Sequence, residues 1–530
     1  MCNKLYNYLK GLLLPCLAFS VITGFLSALL ITGFKLLVEW VIHLSGTAYN
    51  AVRANPIWLP ILVLIAALIG FAASHILSNS HSCKGGGIPS SVAAIRGILS
   101  FRWFSGIILL PISALLTFLA GLPLGTEGPC VQMGTAVGDR VIKGLAKKNH
   151  KGWRRYIMTG GASAGFSVAT ASPISAIIFA MEELHKHFSP LLLSIASTSV
   201  ITAQITVRAL ASIKIGDTNF LDIPELAAIP SSLLFVPIIL GLISGICSIL
   251  FTNLYHHIDK MMRIILKRFS VKVVLPILFA LISIVGFFFA DTLGSGHALI
   301  TSLLTPGAAW YVLLLLFFVR AVEMMICNTS GATGGVFLPT LAFGAIIGAL
   351  CANIMIALGW IGAEHYLLIV VLGITSFLGA TSRIPLTACV FAIEALGGIN
   401  NVLPIVISTT IALMSAEASG LEDLTDKIID AKLHRIAKDK SPLDVEAPLT
   451  VGKNAFVIGK ELRDVLWPNS CVVVAFNRAD FSTKHGIISE GDIITVRYVT
   501  YNPETTAIEL CDLVGEQSED VSLIMNPKSS

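Results

Sequence analysis

Long apolar runs separated by short polar segments govern this chain. They fall near 11–34, 57–78, 105–122, 156–184, 190–212, 230–254, 272–290, 307–326, 336–359, 366–380 and 385–418. A membrane-spanning helix needs about 20 apolar residues, so the pattern predicts roughly ten helices. Gly and Pro interrupt several runs, which predicts short or discontinuous helices. Lipid tolerates such breaks only where protein or a polar cavity covers the freed backbone. Lys4 and Lys10 precede the first run in the manner of a signal peptide. That run has spanning length and no small-residue cleavage site, so it reads as a retained helix.

Composition agrees. Of 530 residues, 55% are hydrophobic and only 13% are charged, against about 25% charged in soluble domains. Charge is divided along the chain. Residues 441–530 hold seven Lys/Arg and thirteen Asp/Glu, and the remainder holds 29 basic and 19 acidic residues. The basic residues cluster around Lys143 to Arg155, Lys260 to Lys272 and Lys427 to Lys440. The positive-inside rule puts all three clusters, with both termini, on the cytoplasmic side of a cell membrane. The mildly acidic stretch from Gly216 to Glu225 then faces outward. The clusters flank membrane runs without interleaved aromatics, so nucleic acid is not an expected partner. The ten cysteines are scattered without paired spacing, and no metal or cofactor is expected.

An internal repeat organises the apolar part. Pro173, Ala176, Phe179, Ala180, Glu182 and Leu184 recur as Pro385, Ala388, Phe391, Ala392, Glu394 and Leu396, at a constant offset of 212. Pro129, Gly134 and Gly138 recur as Pro339, Gly344 and Gly348, at an offset of 210. Two matches in one order imply duplicated halves of about 10–212 and 230–420. Paired broken helices in repeated halves are the pattern of a transporter whose site lies at the repeat interface.

The candidate chemistry centres on Gly125-Thr126-Glu127-Gly128-Pro129. The glycines suit a tight approach and Pro129 suits a first helical turn. That places Glu127 beside a helix N-terminus, where free N–H groups attract anions. A carboxylate competes for that site and a protonated carboxyl does not.

With Gly125 to Pro129, Gly335-Val336-Phe337-Leu338-Pro339 and Gly85-Gly86-Gly87-Ile88-Pro89, the chain resembles the CLC family of chloride channels and proton-coupled chloride transporters. These stretches are similar to its GREGP, GxFxP and GSGIP motifs, in order and spacing, within a resemblance covering about residues 10–435. The resemblance implies an all-α membrane protein of CLC type, an inverted repeat of broken helices, which works as a homodimer with one anion pathway per subunit. By motif match, Val336 and Phe337 supply backbone N–H groups to the ion, and Gly86, Gly87 and Ile88 line its inner end. Glu127 is the gating glutamate, Glu183 the internal proton-transfer acid, and Glu182 its neighbour on the proton's way in. In the second half Glu394 matches Glu182, while Ala395 stands where Glu183 would recur.

Three departures stand out. Thr126 replaces the Arg of GREGP, which weakens the positive field at the outer mouth. Gly86 replaces the Ser of GSGIP, a chloride contact that discriminates against nitrate. Thr425 aligns with the inner-gate Tyr and reaches less far, so a wetter, looser inner gate is expected. The expected function is proton-coupled chloride antiport. The alternatives are a passive voltage- or pH-gated chloride channel and an exchanger for nitrate or fluoride. The substrates expected are chloride and protons.

After about residue 440 the character changes. A linker at 441–445 leads to an expected amphipathic helix over 459–467, a strand over 471–476 and a turn and strand over 491–498. This small cytoplasmic α+β domain, 441–516, resembles a TrkA-C (RCK C-terminal) domain, which implies a regulatory or dimerising role and a possible small ligand. Gly161-Ala162-Ser163-Ala164-Gly165 fits the G-x-S-x-G elbow of a hydrolase. That elbow follows a strand in a soluble sheet. Small residues at this spacing in a membrane helix serve close packing, so no enzyme is expected. His185 and His187 read as solvated at a helix end.

Overall fold

The computed structural model describes residues 14–85, 87–98, 102–145, 152–216, 219–437, 443–453, 455–462, 465–468, 471–477, 487–500 and 503–515. The sequence expectations resting on Lys4, Lys10, Gly86, Lys147, Lys148, Lys151, Lys438, Lys440, Ser441 and Pro442 lie outside these residues.

The first half runs α1 (Leu14–Ala54), α2 (Leu59–Asn79), α3 (Ile88–Ile95), α4 (Leu110–Leu119), α5 (Glu127–Leu145), α6 (Arg154–Thr170), α7 (Pro173–Phe179) and α8 (Pro190–Ser212). A π-helical turn, Ala180–His185, extends α7. The second half runs α9 (Phe235–Arg268), α10 (Val271–Phe288), α11 (His297–Ser302), α12 (Trp310–Ser330), α13 (Phe337–Ala357), α14 (Tyr366–Ser382), α15 (Pro385–Ala395) and α16 (Val402–Glu417). Among the described residues, nine helices are long and apolar enough to cross a membrane. The runs at 156–184 and 385–418 each break in two, at Ala171–Ser172 and at 396–401, as their Gly and Pro content predicts. Two helices outgrow their apolar runs. α1 has 41 residues, about 60 Å at 1.5 Å per residue, twice the hydrocarbon thickness.

The repeat is visible in the packing. A Cβ on Gly134 would sit 2.0 Å from the Gly161 carbonyl oxygen, and one on Gly138 would sit 2.5 Å from that of Ile157. In the second half, a Cβ on Gly344 would meet the Gly373 oxygen at 2.7 Å, and one on Gly348 the Ile369 oxygen at 2.7 Å. Without a strong hydrophobic drive between helices in lipid, such backbone approach supplies the contact area. Gly161 and Gly165, the flanks of the hydrolase-like elbow, are spent on this packing: a Cβ on Gly165 would lie 2.5 Å from the Cys130 oxygen.

The two halves are inverted, and two reciprocal contacts display the dyad. Gly125 N–H donates to the Gly335 carbonyl at 2.7 Å, and Gly335 N–H returns the bond to Gly125 at 2.7 Å. Glu182, at the end of α7, accepts from the Leu386 and Thr387 amides at the start of α15, at 3.0 and 2.7 Å. Glu394, at the end of α15, accepts from the Ile174 and Ser175 amides at the start of α7, at 2.8 and 2.7 Å. Equivalent helices that cap each other's N-termini must run antiparallel. Each carboxylate satisfies N–H groups that no intrahelical partner can reach.

α17 (Leu424–Ala437) leads to a three-stranded antiparallel sheet of β1 (Leu443–Thr450), β2 (Cys471–Asn477) and β3 (Ile493–Thr500), in the order β1-β3-β2. α18 (Pro503–Val514) follows. Two sequence expectations fail here. The stretch expected as a linker already begins β1, and among the described residues of 459–467 only Leu462 is helical, in a 3₁₀ turn. Gly459, where that helix was expected to start, sits at φ +80, and the Glu461 backbone bridges to Ile487.

This region docks on the start of α6. Glu509 of α18 pairs with Arg154 at 3.4 Å and with Arg155. The Leu466 amide donates to the Tyr156 hydroxyl at 3.1 Å, and the Phe456 and Trp153 rings meet edge-on at 4.9 Å. Lys460 is buried in this seam, 3.1 Å over the Phe456 ring centroid and 5.3 Å over that of Trp153, and donates to the Phe456 carbonyl. Burial pushes its amine down to about 7, with Cys16 acting weakly the other way. An unfolded Lys titrates at about 10.4, so between about pH 7 and pH 10 the unfolded chain holds a proton that the folded chain lacks. Stability of the seam therefore rises with pH across that window. Limited proteolysis of the full-length protein during heating is expected to show release of residues 443–515 at a higher temperature at pH 9 than at pH 7. Lys460→Met raises the pH 7 value by a few degrees and flattens the slope. A wild-type profile flat with pH would refute the assignment.

Candidate functional site

Three helix N-termini meet at glycine backbone. A Cβ on Gly128 would lie 2.7 Å from Gly335 Cα and 2.9 Å from Gly87 Cα, and one on Gly87 would lie 3.1 Å from Gly128 Cα. Gly87 holds φ at +139, a conformation that L side chains rarely adopt. The contact therefore joins α3, which starts at Ile88, to α5, which starts at Glu127, and to α13, which starts at Phe337. Gln132 fastens the arrangement: its Oε1 accepts from Gly87 N–H and its Nε2 donates to the Ser82 carbonyl, both at 2.8 Å. Each helix start carries roughly half a positive charge. Converging starts attract an anion with partial charges and leave it free to depart, as conduction requires.

Glu127 occupies this meeting point, as the first residue of α5 and 1% exposed. Oε1 accepts from the Thr126 hydroxyl at 3.0 Å, while Oε2 is buried with no hydrogen-bond partner. The basic groups acting on it are His297 at the start of α11 and Lys35 of α1. The sequence reading named neither. Both stand far along the chain from the Thr126 position where a neighbouring Arg was missed.

Aromatic rings separate Glu127 from the second acid. Phe337 lies edge-on to Phe166 at 5.1 Å, and Phe166 stacks on Phe179 at 4.4 Å. Phe179 directly precedes the π-helical turn that carries Glu182 and Glu183. Glu183 is 2% exposed, and its Oε2 is buried without a partner. Arg96 braces this turn from the end of α3, donating to the Glu183 and Leu184 carbonyls at 3.0 Å each.

Three sequence expectations change here. Glu182 does not share Glu183's environment, because both its oxygens are engaged by the start of α15, with the Thr387 hydroxyl donating to Oε2 at 2.7 Å. Thr425 is 7% exposed, so its short side chain is buried rather than open to water. His185 is half-buried, with Nε2 2.7 Å from the Thr159 hydroxyl, because the π-helical turn rotates it inward; His187 alone is exposed. The structure brings Gly87, Ile88, Val336 and Phe337 to one place. Lys432 of α17 reaches the same motif, donating to the Gly85 carbonyl at 3.0 Å.

Comparisons with known proteins agree with this geometry. Residues 69–417 match the family model described as voltage gated chloride channel. The H(+)/Cl(−) exchange transporter ClcA of Yersinia pestis (biovar Antiqua, strain Angola) is 28% identical over 459 residues, covering 84% of this chain and 93% of that protein. ClcA of Vibrio parahaemolyticus (serotype O3:K6) is 28% identical over 434 residues, covering 80% and 90%. Among solved structures, a slow cyanobacterial Cl−/H+ antiporter superposes with a TM-score of 0.73 at 22% identity, over 79% of this chain and 98% of that one. A CLC-type fluoride/proton antiporter gives 0.62 at 20% identity, over 76% and 95%. The converging glycine motifs, the inverted halves and a family match spanning about two thirds of the sequence lead to one conclusion: this chain belongs to the voltage-gated chloride channel (CLC) family.

Proposed function

We propose that the protein exchanges chloride for protons across a cell membrane, with Glu127 as the gate and Glu183 as the proton-transfer acid on the cytoplasmic side. The observation that carries this reading is Glu127 itself: a carboxylate with one unpartnered, buried oxygen at the junction of three helix N-termini. As a carboxylate it competes with chloride for their N–H groups. Protonated, it loses that attraction and yields the site. In this reading the Val336 and Phe337 amides face the ion at the start of α13, with Gly87 and Ile88 toward the cytoplasm. Exchange, rather than a passive leak, is supported by Glu183, a second buried acid, unpaired at Oε2, beyond the Phe166–Phe179 stack. The relatives named as H(+)/Cl(−) exchangers support the same reading.

The termini are cytoplasmic, because Arg154 and Arg155 of the first basic cluster lie on the face that carries the sheet. Residues 1–435 form the transport domain. Residues 441–516 form a TrkA-C-like domain with a regulatory or dimerising role, docked on the transport domain through Glu509 and its two Arg partners. Two copies associate as a homodimer, in keeping with apolar residues exposed on α7, α8, α15 and α16: Ile174 at 56%, Ile201 at 55%, Leu386 at 52% and Leu403 at 59%.

Purified protein in liposomes tests the function, with chloride and pH followed together. An outward chloride gradient is expected to drive protons inward against their own gradient. Chloride movement without opposed proton movement would make the protein a passive channel. Replacing chloride by nitrate and by fluoride in the same assay ranks the anions.

A further inference from the structure

A cavity of about 420 Å³ lies where the C-terminal region meets the transport domain. That volume suits a small organic molecule. Its two walls differ in chemistry. The transport domain supplies Arg96 at the end of α3, Arg155 of α6, and His185, Lys186 and His187 at the end of the π-helical turn. The C-terminal region supplies apolar surface, with Leu462, Leu466 and Trp467 at its centre. No acidic side chain is among the described residues that line the cavity.

The basic wall has hydrogen bonds to offer. A guanidinium carries five N–H bonds. Arg96 spends three, on the Leu184 and Glu183 carbonyls and on the Asp426 carboxylate. Arg155 spends two, on the Leu466 carbonyl at 3.4 Å and on Glu509. Among the described residues, two N–H bonds of Arg96 and three of Arg155 therefore have no protein acceptor. Lys186 pairs with Asp423 at 2.7 Å and with Asp426 at 2.6 Å. Those aspartates line a separate cavity that shares Lys186, and Glu509 lines neither. An anion in the basic cavity thus touches the cations and not their carboxylate partners. Forked N–H groups match the oxygens of a phosphate.

The opposite wall asks for something else. The single N–H of Trp467 donates to the Leu462 carbonyl at 3.3 Å, so the indole presents only carbon surface. Inorganic phosphate would leave this wall bare, and a neutral ring would leave the arginines unanswered. A molecule with a flat ring and a phosphate satisfies both. We propose that this cavity binds an organic phosphate of the nucleotide class, and that the bound ligand slows exchange. Arg96, on one side of the ligand, holds the turn that carries Glu183. Arg155, on the other, holds Glu509 and Leu466 of the C-terminal region. Occupancy clamps these two parts together and restrains the turn. The proposal deepens the regulatory reading of residues 441–516, and its effect on transport rests on the exchanger reading.

Calorimetry on the full-length protein in detergent tests binding, with adenosine 5′-monophosphate, inorganic phosphate and adenosine as probes. The nucleotide is expected to bind at least tenfold more tightly than either of the others. Trp467→Ala should weaken the nucleotide about tenfold, the scale of losing one stacked ring, and leave phosphate unchanged. Lys186→Gln, which keeps a donor for Asp423, should weaken nucleotide and phosphate alike. No nucleotide binding at millimolar concentration, equal affinity for phosphate, or wild-type affinity in Trp467→Ala would each overturn the site. Loss of nucleotide binding in nanodiscs of phosphatidylglycerol, but not of phosphatidylcholine, would assign the cavity to a lipid headgroup instead. In liposomes, nucleotide on the side of the C-terminal region should slow wild-type exchange at least threefold and leave Trp467→Ala at its nucleotide-free rate. Equal wild-type rates with and without nucleotide would overturn the regulation. Failure of the exchanger reading is separable: nucleotide would still bind in calorimetry, while nucleotide-free wild type moved chloride with no opposed protons.

Discussion

Glu127→Gln, reconstituted in liposomes, is expected to pass chloride steadily while moving no measurable protons. The amide has the shape of the protonated acid and cannot ionise, so the gate is fixed in its yielded form. In the wild type, one oxygen is held by the Thr126 hydroxyl and the other is buried without a donor. An unpaired carboxylate in such a place costs several kcal/mol, which is available to drive either displacement or protonation. Gly125 and Gly335 confine the possible movement. The ideal Cβ position on Gly125 lies only 2.6 Å from Glu127 Oε2, so the side chain rests against its own motif and leaves it only by swinging away. Proton transport in the variant should fall at least a hundredfold, the scale of removing a positioned proton-transfer group. Retention of stoichiometric proton exchange by Glu127→Gln would remove Glu127 from the gate.

Glu183→Gln should show the complementary result, with proton movement lost and chloride movement spared. Glu183 lies beyond the Phe166–Phe179 stack from Glu127, on a turn braced by Arg96. Gln preserves its size and cannot ionise. The loss should again be of the order of a hundredfold in proton flux, and chloride flux should remain within a few fold of wild type. Loss of both fluxes together would mean that the turn, not the acid, had been damaged. Circular dichroism of the purified variant separates those outcomes. The pair of variants is informative jointly: one removes the proton's destination and the other its source, so both should be uncoupled while differing in whether the anion gate still closes.

Much of the fold was legible because lipid imposes strict rules on sequence. Apolar runs, Gly and Pro breaks and the offsets of 210 and 212 located the halves and their broken helices. The three glycine motifs marked the anion site for the same reason: close backbone approach leaves few residue choices. The division of labour between Glu182 and Glu183 was harder. A signal existed in the repeat, since Glu182 has a mate at Glu394 while Glu183 faces Ala395. The member that recurs is the one that both halves need for structure. In the C-terminal region, Leu462 and Leu466 imitated a helical stripe. The actual helix, α18, carries Pro503 at its start and buried Ala507, Leu510, Cys511 and Val514 on one face. Its period was present in the sequence and overlooked.

The exchanged caps between α7 and α15 bear on how the chain is made. During synthesis, Ile174 and Ser175 emerge about 220 residues before Glu394, the carboxylate that later accepts their amides. At 5–20 residues per second the first half waits roughly 10–40 s with these N–H groups unanswered. In lipid that wait is costly, so the early half must hold water, a lipid headgroup or an insertion factor at this spot until its sister arrives. The completed fold is then an event of the second half's release rather than a sum of two finished halves. A chain cut between residues 213 and 230 would still have both fragments, yet neither would be expected to settle in a membrane until the other was present.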